Sequence, residues 1–391
     1  MADRRNSGKP MSRKAARAKR RKRKIIIVAV ELILLLIVLL GLYVMLKLSK
    51  IDEDKEFSKA NVKNEDLTEE TKDVLGNYDT IALFGLDNRE DGTYNSGNSD
   101  VIMLARIDKE TKEVKLVSVY RDTYLKMMDE DKENAYSKAN AAYNMGGPEQ
   151  AVRMLNANLD LDIKEYVSFD FKAVAEAVDL LGGVEIEISD EEAILMQGYQ
   201  DDFEGIYDMP IEYLNQGGTY NLNGIQAVAY ARIRYVGNGD FKRTERQRLV
   251  LSKMVEKALQ SDLGTIDALI DTVFGDIRTS LTKAEMLNLA KSAFSYRLGE
   301  TTGFPLEQEG EKVNVSYQSK KASCIIPADL ALNVKLLHEF LYDVTDYEVS
   351  EGVKNISDTI IENTGVQAHE IEPEDSGAEG SGSEDSQTDA E

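Results

Sequence analysis

Two short stretches concentrate side chains that a folded interior does not tolerate without partners. In "SVYRDTYL" (118–125), Arg121 and Asp122 end a run, "EVKLVSV", that otherwise reads as a buried strand. In "YARIRYVGNGDFKRTERQRL" (230–249), the cations Arg232, Arg234, Lys242, Arg243, Arg246 and Arg248 outnumber the acids Asp240 and Glu245. Planar guanidiniums in that number suit phosphate or diphosphate oxygens, which they grip bidentately. Arg232 and Arg234, two apart, share one face if the segment is extended. Arg243 and Gln247 stack at i, i+4 if a helix begins near 242, and that helix would turn its first amide N–H groups toward an anion. A solvated helix face using Arg for salt bridges competes evenly as a reading of Arg246 and Arg248. It fits Arg232 and Arg234 less well, because their neighbours in "AVAYARIRY" are apolar.

The acids suggest a second chemistry. Asp87 follows "FGL" and Asp100 follows "NSGNS". Two carboxylates at neighbouring strand ends can share a hard cation, Mg²⁺ or Mn²⁺, while as turn or capping residues they would have no chemical role. The single cysteine, Cys324, excludes an internal disulfide, and with only His338 and His369 a Cys/His zinc site is not available. Any metal would be held by oxygen. In "SKANAAYNMGG" (137–147), Lys138 and Asn140 precede a Gly pair, which reads either as backbone approaching a ligand or as a plain loop leading to a helix.

These residues need strands and helices to aim them. Strand-like runs occupy 79–86, 99–108 and 114–120, the last two joined by the turn "KETKE" as an antiparallel hairpin. Helical patterns cover 148–159, opening on Pro148, and 171–183, closing on a Gly pair, with further candidates at 223–231, 243–260 and 281–296. "VSFD" (167–170) and "VEIEI" (184–188) read as strands around the second helix. Interleaving of this kind predicts an α/β fold, an α-β-α layered domain with a mixed central sheet. Asp87, Asp100 and Arg121 then fall at strand ends or adjoining loops, where ligands gather in such domains. The segment beyond 300, with strand-like "ASCIIPA", is expected to close the sheet or an apolar pocket.

Charge divides the chain further. Residues 1–24 carry twelve Lys or Arg against Asp3, so the rest of the chain, within a total of −23, stands at −34. Residues 25–46 follow with Glu31 as the single charge, and 22 residues of helix reach roughly 33 Å, the span of a bilayer core. The positive-inside rule then predicts a basic cytoplasmic arm (1–24), one transmembrane helix (25–46), and an extracellular remainder on a single-pass membrane protein. No small-residue cleavage site follows the apolar run, so the anchor is expected to stay. A stalk is expected over 47–75, the domain over 76–350, and an acidic Gly/Ser-rich disordered tail over 351–391. With the membrane segment accepted, no nucleic-acid partner is expected for the basic arm.

Taken in order, "FGLDNR" (84–89), "NSD" (98–100), "LVSVYRDTYL" (116–125), "KANAAYNMGG" (138–147), "AVDLLGGVEIEI" (177–188), "LNGIQAVAYARIRY" and "GDFKRTERQR" (within 222–248) resemble the LytR-CpsA-Psr family of membrane-anchored cell-wall glycopolymer ligases. The resemblance implies an extracellular enzyme of a Gram-positive-type bacterium whose long pocket holds a polyprenyl chain. That enzyme would move a glycan phosphate (teichoic acid, capsule or similar) from a polyprenyl-pyrophosphate carrier to peptidoglycan. It implies Asp87 and Asp100 as Mg²⁺ ligands, Arg121, Arg232 and Arg234 as the pyrophosphate clamp, Arg243 and Gln247 as its support, and Lys138 near the phosphates; Asn140, from its amide chemistry, is expected to contact phosphate or sugar hydroxyls. Arg121, Asp100 and Asp122 form the expected catalytic set, with Asp122 orienting Arg121 or a neighbouring loop. One departure stands out: many members carry Arg two residues before the second metal-site Asp, and here that residue is Asn98, with Arg89 as a possible substitute. Two further readings use the same residues, a non-catalytic receptor for polyprenyl-linked polymers and a polyprenyl-diphosphate pyrophosphatase.

Overall fold

Burial alternates along three neighbouring strands. Phe84, Ile102, Leu104, Val117 and Val119 point into one apolar cluster, whereas Leu83, Val101, Met103 and Leu116 belong to another on the opposite face. A sheet that is apolar on both faces must be covered twice, which gives three layers. The computed structural model describes residues 43, 46, 47, 49, 52–86, 94, 97–128, 136–203, 211–234, 236, 240–292, 295–315 and 320–367.

The strands are β1 (Asp52–Glu53), β2 (Tyr78–Leu86), β3 (Ser99–Asp108), β4 (Glu113–Val119), β5 (Tyr124–Lys126), β6 (Tyr136–Lys138), β7 (Glu165–Asp170), β8 (Val184–Ile188), β9 (Gly218–Leu222), β10 (Ile277–Thr279), β11 (Arg297–Phe304), β12 (Gln308–Val315) and β13 (Lys320–Pro327). The helices are α1 (Glu69–Leu75), α2 (Ala141–Leu159), α3 (Phe171–Leu180), α4 (Asp190–Asp201), α5 (Gly224–Arg232), α6 (Asp240–Gln260), α7 (Leu263–Val273), α8 (Lys283–Lys291), α9 (Leu330–Tyr342) and α10 (Glu351–Thr364). Seven strands form one mixed sheet in the order β1-β10-β7-β2-β3-β4-β11. β2, β3 and β4 are antiparallel neighbours, and β2 with β7 and β4 with β11 are parallel. Helices α2, α9 and α10 fill one face, and α3, α5 and α6 contribute to the clusters on the other.

Capping explains why the helix bearing Arg232 starts where it does. The Asn223 side chain accepts from the Gln226 amide while Gln226 returns a bond to the Asn223 amide, a capping box. The Gly224 amide donates to Asp179 at 2.7 Å. A Cβ at Gly224 would collide with the Ala175 carbonyl oxygen, so glycine is what lets α5 lie against α3. The polar and small residues of "LNGIQ" and "AVDLLGG" therefore build the support of the site.

Two sequence expectations change. The stretch 47–75 does not stand apart as a stalk: β1 pairs with β10, and Val62, Leu67 and Leu75 enter the main core. The tail does not begin at 351, because α10, capped by Ser350, buries Val353, Ile356 and Ile360. Its i, i+3, i+7 apolar stripe is masked in the sequence by acids on the other faces. "VEIEI" is a strand as expected; it pairs with β9 in a two-stranded sheet and exposes Glu185 and Glu187. Beyond 300, β11 completes one sheet edge and β12 pairs with β13. Residues 1–24 and nearly all of 25–46 lie outside the described residues, among which no helix is long and apolar enough to cross a membrane.

Candidate active site

One residue joins the two strand ends that carry charge. The Asn140 carbonyl accepts from the Ser99 amide at 3.4 Å, and the Asn140 amide donates to the Arg121 carbonyl at 3.0 Å. Ala139 adds a bond to the Thr123 carbonyl at 2.8 Å. Asp100, second residue of β3, and Arg121, two past the end of β4, are thereby fixed side by side. Arg121 NH1 donates to Asp100 Oδ1 at 2.6 Å. Asn140 acts here through its backbone, its side chain being buried.

From that pair the charges continue in both directions. Arg121 Nε lies 3.7 Å from Asp122 Oδ1, and Lys138 Nζ lies 3.2 Å from the same oxygen. On the other side, Arg234 NH2 is 3.9 Å from Asp100 Oδ2. Arg232 pairs with Asp202 at 3.1 Å, and its guanidinium carbon sits 5.2, 5.5 and 5.2 Å from the ring centres of Phe171, Tyr199 and Phe203. An arginine held against three aromatic rings has little rotamer freedom left.

Asp100, Arg232, Arg234, Arg243 and Gln247 line one open cavity of ≈ 540 Å³, together with Phe171, Tyr199 and Asp202. Arg243 is buried on α6 and lines this cavity. Against it lies a second cavity of ≈ 270 Å³ whose lining is almost wholly apolar, including Val101, Met103, Val174, Leu251 and Met254. Phe171 and Gln247 border both. A cationic chamber with an apolar extension matches the two ends of an amphiphile.

Asp87 and Arg89 lie outside the described residues, and Asn98 is exposed. Among the described residues no three His, Cys, Asp or Glu side chains converge as a metal cage. Asp100 offers a hard-oxygen donor of the kind Mg²⁺ or Mn²⁺ takes. Burial lifts the Cys324 thiol to about 11, so it stays protonated.

Sequence patterns did not single out Phe171, Tyr199, Asp202 or Phe203. The aromatic residues carry no polar signal of their own, and α4 lacks a sharp amphipathic stripe. Arg246, evenly balanced between two readings in the sequence, is buried and bonded to protein groups.

The profile of the LytR_cpsA_psr family matches residues 42–324. A relative from Enterococcus faecalis, named polyisoprenyl-teichoic acid–peptidoglycan teichoic acid transferase TagU, is 31% identical over 245 residues, 61% of this chain and 73% of the relative. Biofilm regulatory protein A of Streptococcus mutans is 28% identical over 257 residues, 63% of this chain and 61% of that protein. Among solved structures, one described as TagT bound to LI-WTA superposes with a TM-score of 0.54 at 21% identity, covering 72% of this chain and 95% of that one. At that identity the likeness speaks for the fold.

Proposed function

The chain belongs to the LytR-CpsA-Psr family, and from that premise we propose that it is a phosphotransferase attaching a glycopolymer from a polyprenyl-pyrophosphate carrier to peptidoglycan. The observation that carries this reading is the contact between the arginine-lined cavity and the apolar one, joined at Phe171 and Gln247. A diphosphate in the first would be gripped by Arg232, Arg234 and Arg243, with Arg121 reaching it past Asp100. The first isoprene units of the carrier would occupy the second. The transferase names of relatives support the reaction class.

In this reaction a muramic acid hydroxyl oxygen bonds to the phosphorus that bears the glycan. The hydroxyl gives up its proton to solvent, the bond from that phosphorus to the bridging oxygen breaks, and polyprenyl phosphate leaves. Charge grows on the bridging and non-bridging oxygens, and preorganised guanidiniums stabilise it without having to reorient. Asp122, held by Lys138, restrains Arg121 from behind. Asp100, with Asp87 as the expected second ligand, would hold Mg²⁺ or Mn²⁺, which supplies Lewis-acid neutralisation of phosphate charge. A single N-terminal membrane anchor with the domain outside a Gram-positive-type cell completes the proposal and puts the site next to its lipid-borne donor.

The test uses the full chain in proteoliposomes with a polyprenyl-diphosphate glycan, Mg²⁺ and peptidoglycan oligomers. Wild type should ligate glycan to the oligomers, and Arg121→Ala and Arg234→Ala should each lose at least about 100-fold in rate. Carrier binding with no ligated product from wild type would overturn the transferase reading in favour of a receptor.

A further inference from the structure

Arg246 points away from the cavity that its neighbours Arg243 and Gln247 line. It is 5% exposed, and each of its three guanidinium nitrogens donates a hydrogen bond. Nε donates to Glu192 Oε1 at 2.8 Å, NH1 to the Ile233 carbonyl at 3.2 Å and NH2 to the Val236 carbonyl at 3.3 Å, while the guanidinium carbon lies 5.7 Å from the Tyr230 ring centre. Ile233 is the residue between Arg232 and Arg234. It follows the last turn of α5 with ψ 127°, so its carbonyl has left the helix and needs a partner. Arg246 supplies that partner from α6.

Glu192 is equally committed. Its Oε2 accepts from the Ser189 amide at 2.9 Å, closing the capping box that starts α4, while its Oε1 takes Arg246. One part-buried ion pair therefore ties the start of α4, the exit from α5 and the first turns of α6. Those three elements carry Tyr199, Arg232 with Arg234, and Arg243 with Gln247, all lining the arginine-lined cavity.

We infer that Arg246 and Glu192 are a positioning pair that fixes the Arg232-Ile233-Arg234 backbone and thereby sets affinity for a prenyl diphosphate; the inference rests on the diphosphate reading above. Lysine cannot replace Arg246, because one ammonium cannot span a carboxylate and two carbonyls in a plane. Neither residue touches the ligand, so their effect passes through Arg232 and Arg234.

The experiment measures binding of farnesyl diphosphate to the full chain in detergent by calorimetry. Arg246→Lys and Glu192→Gln should each weaken binding about tenfold. In a double-mutant cycle, Arg234→Ala should cost several-fold in wild type but less than about twofold in Arg246→Lys, because the same contact is already lost. Lys138→Ala, on a different element, should multiply fully with Arg246→Lys. A purely structural pair would give full multiplication in both cycles, and that result, or binding within twofold of wild type in both single variants, overturns the inference. If Arg246→Lys does not fold, Glu192→Gln runs the same cycles. Wild type that fails to bind the probe overturns the diphosphate reading itself, and this inference with it.

Discussion

Arg121 and Asp100 share a 2.6 Å hydrogen bond between the end of one strand and the start of its neighbour, at 16% and 21% side-chain exposure. The carboxylate expected to hold a cation is thus hydrogen-bonded to the guanidinium expected to hold the diphosphate. A diphosphate that draws Arg121 away frees Asp100, so the two ligands should bind cooperatively. Mn²⁺ titrated against the full chain should bind at least several-fold more tightly with farnesyl diphosphate present. Equal affinity with and without the diphosphate would sever this link. Arg121→Lys should lose turnover by about 100-fold or more while the melting temperature moves by only a few degrees, since the pair is near the surface.

The aromatic faces around Arg232 make a separate prediction. A cation–π contact contributes about 0.5–2 kcal/mol, depending on how far it is desolvated. Replacing Phe203 with Leu keeps an apolar side chain and removes one face. KM for the carrier-linked donor should rise about threefold to tenfold with kcat little changed. A fall in kcat at constant KM would mean that the cage serves the reacting atoms instead.

Acid stability depends on a residue remote from the site. His338 is buried, with Nε2 3.0 Å from the Leu159 carbonyl and its ring stacked 3.7 Å from that of Tyr347. Burial pushes its pKa from 6.5 down to about 4. The unfolded chain therefore binds a proton that the folded chain refuses between those values. Stability is fully present above pH 6.5 and declines as pH falls toward 4, by on the order of 3 kcal/mol from this group. Burial raises Asp160, Glu165 and Asp170, which act in the opposite sense and soften the net loss. With two histidines in the chain, proton NMR can follow both rings, and one should remain neutral through pH 5. Ordinary titration of both near 6.5 would contradict the buried, neutral imidazole.

Truncation tests the revised domain boundary. Val353, Ile356 and Ile360 are almost fully buried, and each contributes about 1.5–3 kcal/mol when removed from water. Together they rival the roughly 5–15 kcal/mol net stability of a domain. A chain ending at 350 should fail to give a cooperative thermal transition, whereas one ending at 368 should melt like the full chain. Identical melting of both would show that α10 is dispensable.

How far the sequence revealed this arrangement depends on the kind of signal. Strands 79–86, 99–108 and 114–120 were readable because apolar runs bounded by Gly, Asn and charged turns have few other structural solutions. Arg121, Arg232 and Arg234 were readable because arginine amid apolar neighbours is costly without a purpose. Arg246 was ambiguous for a definite reason: only the fold reveals whether a helical arginine faces the cavity or the Ile233 carbonyl behind it. α10 was hidden because its acids lower the mean hydropathy while its stripe remains apolar. Phe203 and Tyr199 were invisible as site residues, since an aromatic face that holds an arginine has the same sequence signature as one that fills a core.

The central claim is that the phosphorus nearest the glycan travels with it. A donor carrying ³²P at that position, given to the full chain with peptidoglycan oligomers and Mg²⁺, tests this directly. The account predicts label covalently joined to the oligomers, released by phosphodiester cleavage, with unlabelled polyprenyl phosphate as co-product. Label remaining on the lipid, or appearing as soluble glycan phosphate with none on the oligomers, would contradict it.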